Sequence, residues 1–157
     1  MSSNKKVFFH TGLTVTNLDE AKGFFSEVFN LKIASERNLQ GEYLARMLNH
    51  GEEMTARIAM LETGDETFIE LVEYQTVSGA LPKASDKTQI IDSGAPHFAF
   101  FVEDLNLFHN EFVPKYLDPI GKSFDMIPGG PFEGGLIQFY HSTFGCLIEI
   151  IQKPKEL

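Results

Sequence analysis

Two histidines and two glutamates stand at matching places in this sequence, and their side chains are of the kinds that hold a divalent metal ion. His10 opens the stretch HTGLTVTNLDEAKGFF, and His97 opens HFAFFVEDLNLFHNEF. With the histidines superposed, Val15 falls on Val102, Leu18 on Leu105 and Phe25 on Phe112. Glu70 lies in FIELVEY and Glu149 in LIEIIQK, so each half begins with a histidine and closes with a glutamate. Such ordered self-similarity is the mark of a duplicated module. An ionised carboxylate among apolar neighbours is costly to bury unless it meets a cation or hydrogen-bond donors. One ion shared by His10, Glu70, His97 and Glu149 meets that need. Imidazole nitrogens and carboxylate oxygens suit Zn, Ni, Co, Mn or Fe(II), and no thiolate narrows the choice.

The elements that must carry these residues can be read from apolar spacing. Val7 to Val15 and His97 to Val102 read as strands, each followed by a helix capped by Asn17 or Asp104. The first helix runs over Leu18 to Phe29, where Asn17 and Glu20 form a capping-box pattern. The second runs from Leu105 to about Val113 and is expected to stop before Pro114. Further strands are predicted over Lys32 to Arg37, Ala56 to Glu62, Thr67 to Tyr74, Ser123 to Met126, Leu136 to His141 and Cys146 to Gln152. Thr63-Gly64-Asp65 is read as the turn between the third and fourth strands. Asn38 to Glu53 reads as a loop or lid, and IPGGPFEGG as an irregular connection. The fold class is α+β, a single domain over 1–157 with modules at about 7–75 and 95–152 and an irregular linker at 76–94.

Composition bounds the function. Of the 157 residues 43% are hydrophobic and 22% charged, the balance of a soluble globular domain with a working core. The net charge of -9 disfavours nucleic acid, since phosphate binding needs a basic surface. No apolar run reaches the roughly 20 residues of a membrane span. No secretory signal is read at the N-terminus, and the single Cys146 permits no intrachain disulfide, so a cytoplasmic protein acting on a small molecule is expected.

The pattern H-T-G-L-T-V-T-N-L-D-E-A…F-F, F-I-E-L, H-F-A-F-F-V-E-D-L and L-I-E-I resembles the vicinal oxygen chelate superfamily over about residues 7 to 152. That group includes glyoxalase I, methylmalonyl-CoA epimerase, extradiol dioxygenases, fosfomycin-resistance proteins and bleomycin-binding proteins. The resemblance implies two paired βαβββ modules whose mixed sheets curl into a cup, with helices outside. It places metal ligands at His10, Glu70, His97 and Glu149, closest to the glyoxalase I and epimerase branches. The implied activity is a metal-dependent lyase, isomerase or epimerase, in which the ion stabilises an enolate or oxyanion during proton transfer. Glu149 and Glu70 are the candidate acid–base pair. Two alternatives remain: an Fe(II) ring-cleaving dioxygenase, against which Glu70 counts, and a metal-free binding protein, against which all four retained ligands count. The resemblance also implies a homodimer, and the cup is closed either within one chain or by exchange of modules between two.

Other residues compete for roles around the cup. Glu42 and Tyr140 are the next acid–base candidates. Arg37, Arg46 and Arg57 could contact an anionic substrate, including glutathione, although a solvated surface role is the ordinary reading for each. Phe24, Phe98, Phe100 and Phe139 read as core or cup lining. His50, His109 and His141 have no counterpart in the other half and are left outside the site, His109 as an exposed helix residue. Cys146 and Glu149 differ by an odd number of residues, so Cys146 is expected on the opposite strand face, as a core residue.

Overall fold

A computed structural model describes residues 8–49, 51, 53–64, 66–78, 89, 91 and 93–154. The chain divides into two compact units, Met1–Lys83 and Ala84–Leu157. Most of the predicted linker, together with Val7, His50 and Asp65, lies outside the described residues.

The first unit runs β1 (His10–Thr14), α1 (Leu18–Phe29), β2 (Lys32–Gly41), α2 (Glu42–Met47), β3 (Met54–Glu62) and β4 (Phe68–Thr76). Its sheet has the order β1-β4-β3-β2, with β1 parallel to β4 and the remaining pairs antiparallel. The second unit runs β5 (His97–Val102), α3 (Leu105–Tyr116), β6 (Leu117–Met126), β7 (Leu136–Ser142) and β8 (Leu147–Gln152). Its order, β5-β8-β7-β6, repeats the first, again with the opening strand parallel to the closing one. These are the paired βαβββ modules expected from the sequence, each an open four-stranded mixed sheet.

The helices form where the caps require. Asn17 Oδ1 accepts from the Glu20 N–H at 3.0 Å, and Asp104 Oδ1 from the Leu107 N–H at 2.9 Å. Helix α1 buries Leu18, Ala21, Phe24 and Phe25, and α3 buries Leu105, Phe108 and Tyr116. Against α1 lie Leu13, Ala59, Leu61, Ile69 and Leu71, and against α3 lie Tyr140, Ile148 and Ile150, all almost without exposure. Because side chains alternate along a strand, the opposite face of each sheet is left for the histidines and glutamates.

Three expectations need correction. The segment from Asn38 to Glu53 is not all loop: β2 continues to Gly41, and α2 follows. Gly41 has φ of 92°, a left-handed turn that lets the chain leave the strand and enter the helix at once. Leu44 of α2 packs into a cluster with Met54, Ala56, Ile58 and Val72, so this helix lies on the sheet face opposite α1. Second, α3 passes through Pro114 and ends at Tyr116. The proline sits in the last turn, where its missing N–H breaks one i→i−4 bond with only Lys115 and Tyr116 still to follow in the helix. Third, β6 begins at Leu117 rather than Ser123, and its register shifts between Ile120 and Asp125. Pro119 and Gly121 hid the strand, but β6 is an edge, where a residue without a donor N–H is tolerated.

Candidate metal centre

The parallel pairing of the first and last strand of each module sets its histidine beside its glutamate. On β1 and β4 the register partners are Gly12 and Glu70, and on β5 and β8 they are Ala99 and Glu149. Each histidine stands two residues before the small residue and so shares its face. Within the first unit His10 Nε2 is 3.3 Å from Glu70 Oε2, and within the second His97 Nε2 is 3.0 Å from Glu149 Oε2. The two glutamate side chains are 17% and 13% exposed, so both carboxylates are largely withdrawn from water. Among the described residues, no group of three or more His, Cys, Asp or Glu side chains that could hold a metal ion is formed.

The small residues matter to the pairing. A Cβ at Gly12 would stand 3.6 Å from Glu70 Oε2 and 4.0 Å from His10 Cδ2, so anything longer than alanine there fills the space between the two donors. Aromatic rings brace the histidines: Phe9 meets His10 edge-on at 4.9 Å, and Phe139 meets His97 at 5.7 Å. Nδ1 of His10 is buried and has no hydrogen-bond partner among the described residues, so Glu70 alone orients that ring through Nε2.

The donor geometry fits a cation. Two ligands each about 2.1 Å from one ion, subtending about 90–110°, lie about 3.0–3.4 Å apart. Both His–Glu separations fall in that interval. Each pair, His10 with Glu70 in the first unit and His97 with Glu149 in the second, is therefore a half-set of one nitrogen and one oxygen with the spacing of metal ligands.

The remaining candidates separate by face. Arg37 on β2 comes to the Glu70 side, with Nη2 3.5 Å from Glu70 Oε1. Tyr74, two strand positions beyond Val72, shares that face. Burial first, and the negative charge of Glu70 second, push its hydroxyl above the ordinary value. Arg57 belongs to the helix side: Nη2 meets both oxygens of Asp19 at 2.9 Å, and Nη1 is 3.5 Å from Glu73 Oε2. It locks α1 to β3 and does not face Glu70. Arg46 pairs with Glu42 at 3.5 Å along the exposed side of α2, which engages both residues away from the pair on the sheet.

In the second unit Tyr140 is fully buried under α3, and burial pushes its hydroxyl to about 12. The β7 register sets it opposite Ile148, whereas Phe139 is opposite Glu149. Tyr140 therefore faces away from His97 and Glu149 and is a core residue. His109 is half-buried rather than exposed, with Nδ1 3.2 Å from the Tyr140 hydroxyl oxygen. His141 lies two positions beyond Phe139 and so shares the His97 face of the sheet. Cys146 is 4% exposed, as expected of a core residue, and burial pushes its thiol to about 12.

Sequence reading missed one matched pair. Glu73, three residues beyond Glu70, is buried and accepts the Leu18 N–H at 2.6 Å. Gln152, three residues beyond Glu149, accepts the Leu105 N–H at 2.8 Å. The equal offset from Glu70 and Glu149 was the available signal.

Comparison with known proteins places the two modules in a family. Residues 7–150 match the Glyoxalase/Bleomycin resistance protein/Dioxygenase superfamily. A 2-epi-5-epi-valiolone epimerase from Actinomyces sp is 31% identical over 92% of this chain and 78% of its own length. A glyoxalase family protein from Bacillus cereus superposes with a TM-score of 0.75 at 21% identity, covering 98% of this chain and 99% of that one. Glyoxalase I from Leishmania major gives 0.54 at 18% identity over 94% and 87%. The chain belongs to the Glyoxalase/Bleomycin resistance protein/Dioxygenase superfamily.

Proposed function

We propose that this chain is a metal-dependent epimerase that moves a proton on the carbon beside a carbonyl of a small polyhydroxylated ketone. The observation that carries the reading is the pair of matched His–Glu contacts at 3.3 Å and 3.0 Å. The substrate class follows from the epimerase relative, whose named substrate is a ketone. A two-donor half-site binds an ion weakly, so the reading needs both pairs on one ion. The two modules are then halves of one domain over 1–157, and the four donors meet either within a chain or across a homodimer.

His10, Glu70, His97 and Glu149 would hold the ion. When bound, such an ion is a Lewis acid that stabilises the negative charge appearing on a substrate oxygen. The chain supplies the rest. Epimerisation requires a base to take the proton from one side of the carbon and an acid to return one from the other. Of the two candidate carboxylates, Glu149 is the one free to move the proton, and Glu70 is the second acidic group of the site. Phe9 and Phe139 meet the two histidine rings edge-on and help to orient them.

The decisive experiment joins elemental analysis of protein purified without chelator to deuterium exchange. About one ion per four-ligand site is expected. Incubation with a 2-oxo polyol in D2O should place deuterium at the adjacent carbon, and Glu149→Gln should slow this about 10²- to 10⁴-fold. Protein that takes up no Ni, Co, Zn, Mn or Fe(II), or loaded protein that exchanges no proton in any such ketone, would overturn the reading. Oxygen consumption with a catechol would instead identify a dioxygenase.

A further inference from the structure

The two modules are not electrically equivalent. Register carries Arg37 through Ile58 to Val72, two residues past Glu70. The same path in the second unit carries Asp125 through Ile137 to Ile151, two residues past Glu149. The first module thus has a guanidinium where the second has an exposed carboxylate. The consequence is local. Glu70 is engaged at both oxygens, by His10 at Oε2 and by Arg37 at Oε1. Among the described residues, Glu149 has His97 as its one ion-pair partner. Arg37 differs in the same way from its fellow arginines, since Arg46 and Arg57 are paired with carboxylates outside the His–Glu pairs.

We infer that Arg37 is a positioning residue that commits Glu70 to bind the ion through Oε2 alone. This rests on the proposed metal centre. A carboxylate with both oxygens free can rotate, chelate through both or leave the ion. A guanidinium 3.5 Å from Oε1, on a side chain 61% exposed, draws that oxygen away from the ion and opposes each of these movements. The partners behind metal ligands tune affinity in this way, and losing one typically weakens binding about 10- to 100-fold. Glu149, whose module has Asp125 in the register place that Arg37 takes in the first, is left with the greater freedom. The duplicated site is therefore built from one fixed carboxylate and one mobile one.

Titration of the full chain with CoCl2, followed by its visible absorption and by competition with a chelator, tests the inference without any substrate. Arg37→Ala should weaken cobalt binding about 10- to 100-fold and alter the absorption band, which reports coordination number. Arg37→Met keeps the apolar stem and should show the same loss, whereas Arg37→Lys, which retains a cation, should recover most of it. Arg46→Ala, which removes an exposed arginine from the same module, should match the parent. Unchanged affinity and band in Arg37→Ala, a loss confined to the alanine variant, or an equal loss in Arg46→Ala would each overturn the role of Arg37 and leave the metal centre standing. A parent chain that takes no cobalt would overturn both.

Discussion

Glu73 accepts the backbone N–H of Leu18 at 2.6 Å, tying the first turn of α1 to the last strand of its own module. Gln152 does the same for Leu105 through a neutral amide. The duplication thus extends past the ligand positions to the joint that fixes each helix on its sheet.

That joint predicts an ordered series of stabilities. Glu73→Ala strands a buried N–H and frees one side of Arg57, at a cost of about 1–3 kcal/mol in urea unfolding. Glu73→Gln keeps an acceptor oxygen, as the second module already does, and should lose well under half of that. Equal losses in the two variants would show that charge rather than the hydrogen bond holds the helix.

Gly12 should be intolerant of length rather than of a side chain as such. Gly12→Ala places its Cβ in ordinary contact with Glu70, 3.6 Å from Oε2, and should bind metal nearly as the parent does. Gly12→Leu should fold, because Gly12 and Thr14 on that face of β1 are exposed, yet displace the carboxylate and abolish tight binding. Isothermal titration with Zn or Ni distinguishes the two.

Alkaline stability should fall through the buried thiol. Cys146 keeps its proton in the folded chain to about pH 12, against an ordinary value of 9.0. Between those limits the unfolded chain has released the proton and the folded chain has not, so stability declines as pH rises, by about 1.4 kcal/mol per unit from this one group. Urea melts at pH 8 and pH 10 should diverge less for Cys146→Ala than for the parent. The same burial predicts no reaction with a thiol-specific disulfide reagent at pH 8 until the protein is unfolded.

Tyr140 and Glu149 should separate cleanly in function. Tyr140→Phe removes the contact with His109 and should cost about 1 kcal/mol of stability with proton exchange unaltered. Glu149→Gln should leave the melting temperature of the metal-free protein nearly unchanged and suppress exchange. A Tyr140→Phe variant that folds but exchanges slowly would return the hydroxyl to the reaction.

Much of this arrangement was legible because duplication repeats it. His10 and His97, like Glu70 and Glu149, could be paired on paper since the intervening strands share a period of two and a common order. Both cap residues and the bounds of α1 follow from local hydrogen bonding, which sequence displays directly. What escaped was what only pairing between distant strands decides. Arg37, Arg46 and Arg57 look alike in sequence, yet Arg37 reaches Glu70, Arg57 turns to Asp19 and Arg46 stays on its own helix. Pro114 and Pro119 read as breakers, but one comes so late in its helix that only two residues follow it, and the other falls on a sheet edge, where a missing donor is tolerated. Helix α2 has six residues and no side-chain cap, too little local signal to stand out from a loop.

That short helix has a further significance. Among the described residues it is the one element without a counterpart in the other module, and the eight described strands keep their neighbours if it is removed from the plan. The first module carries a helix between its second and third strands where the second module, among the described residues, has only a connection. Selection can reshape such an addition without disturbing the shared scaffold, so descendants that differ in ligand preference should differ first between Glu42 and Met47.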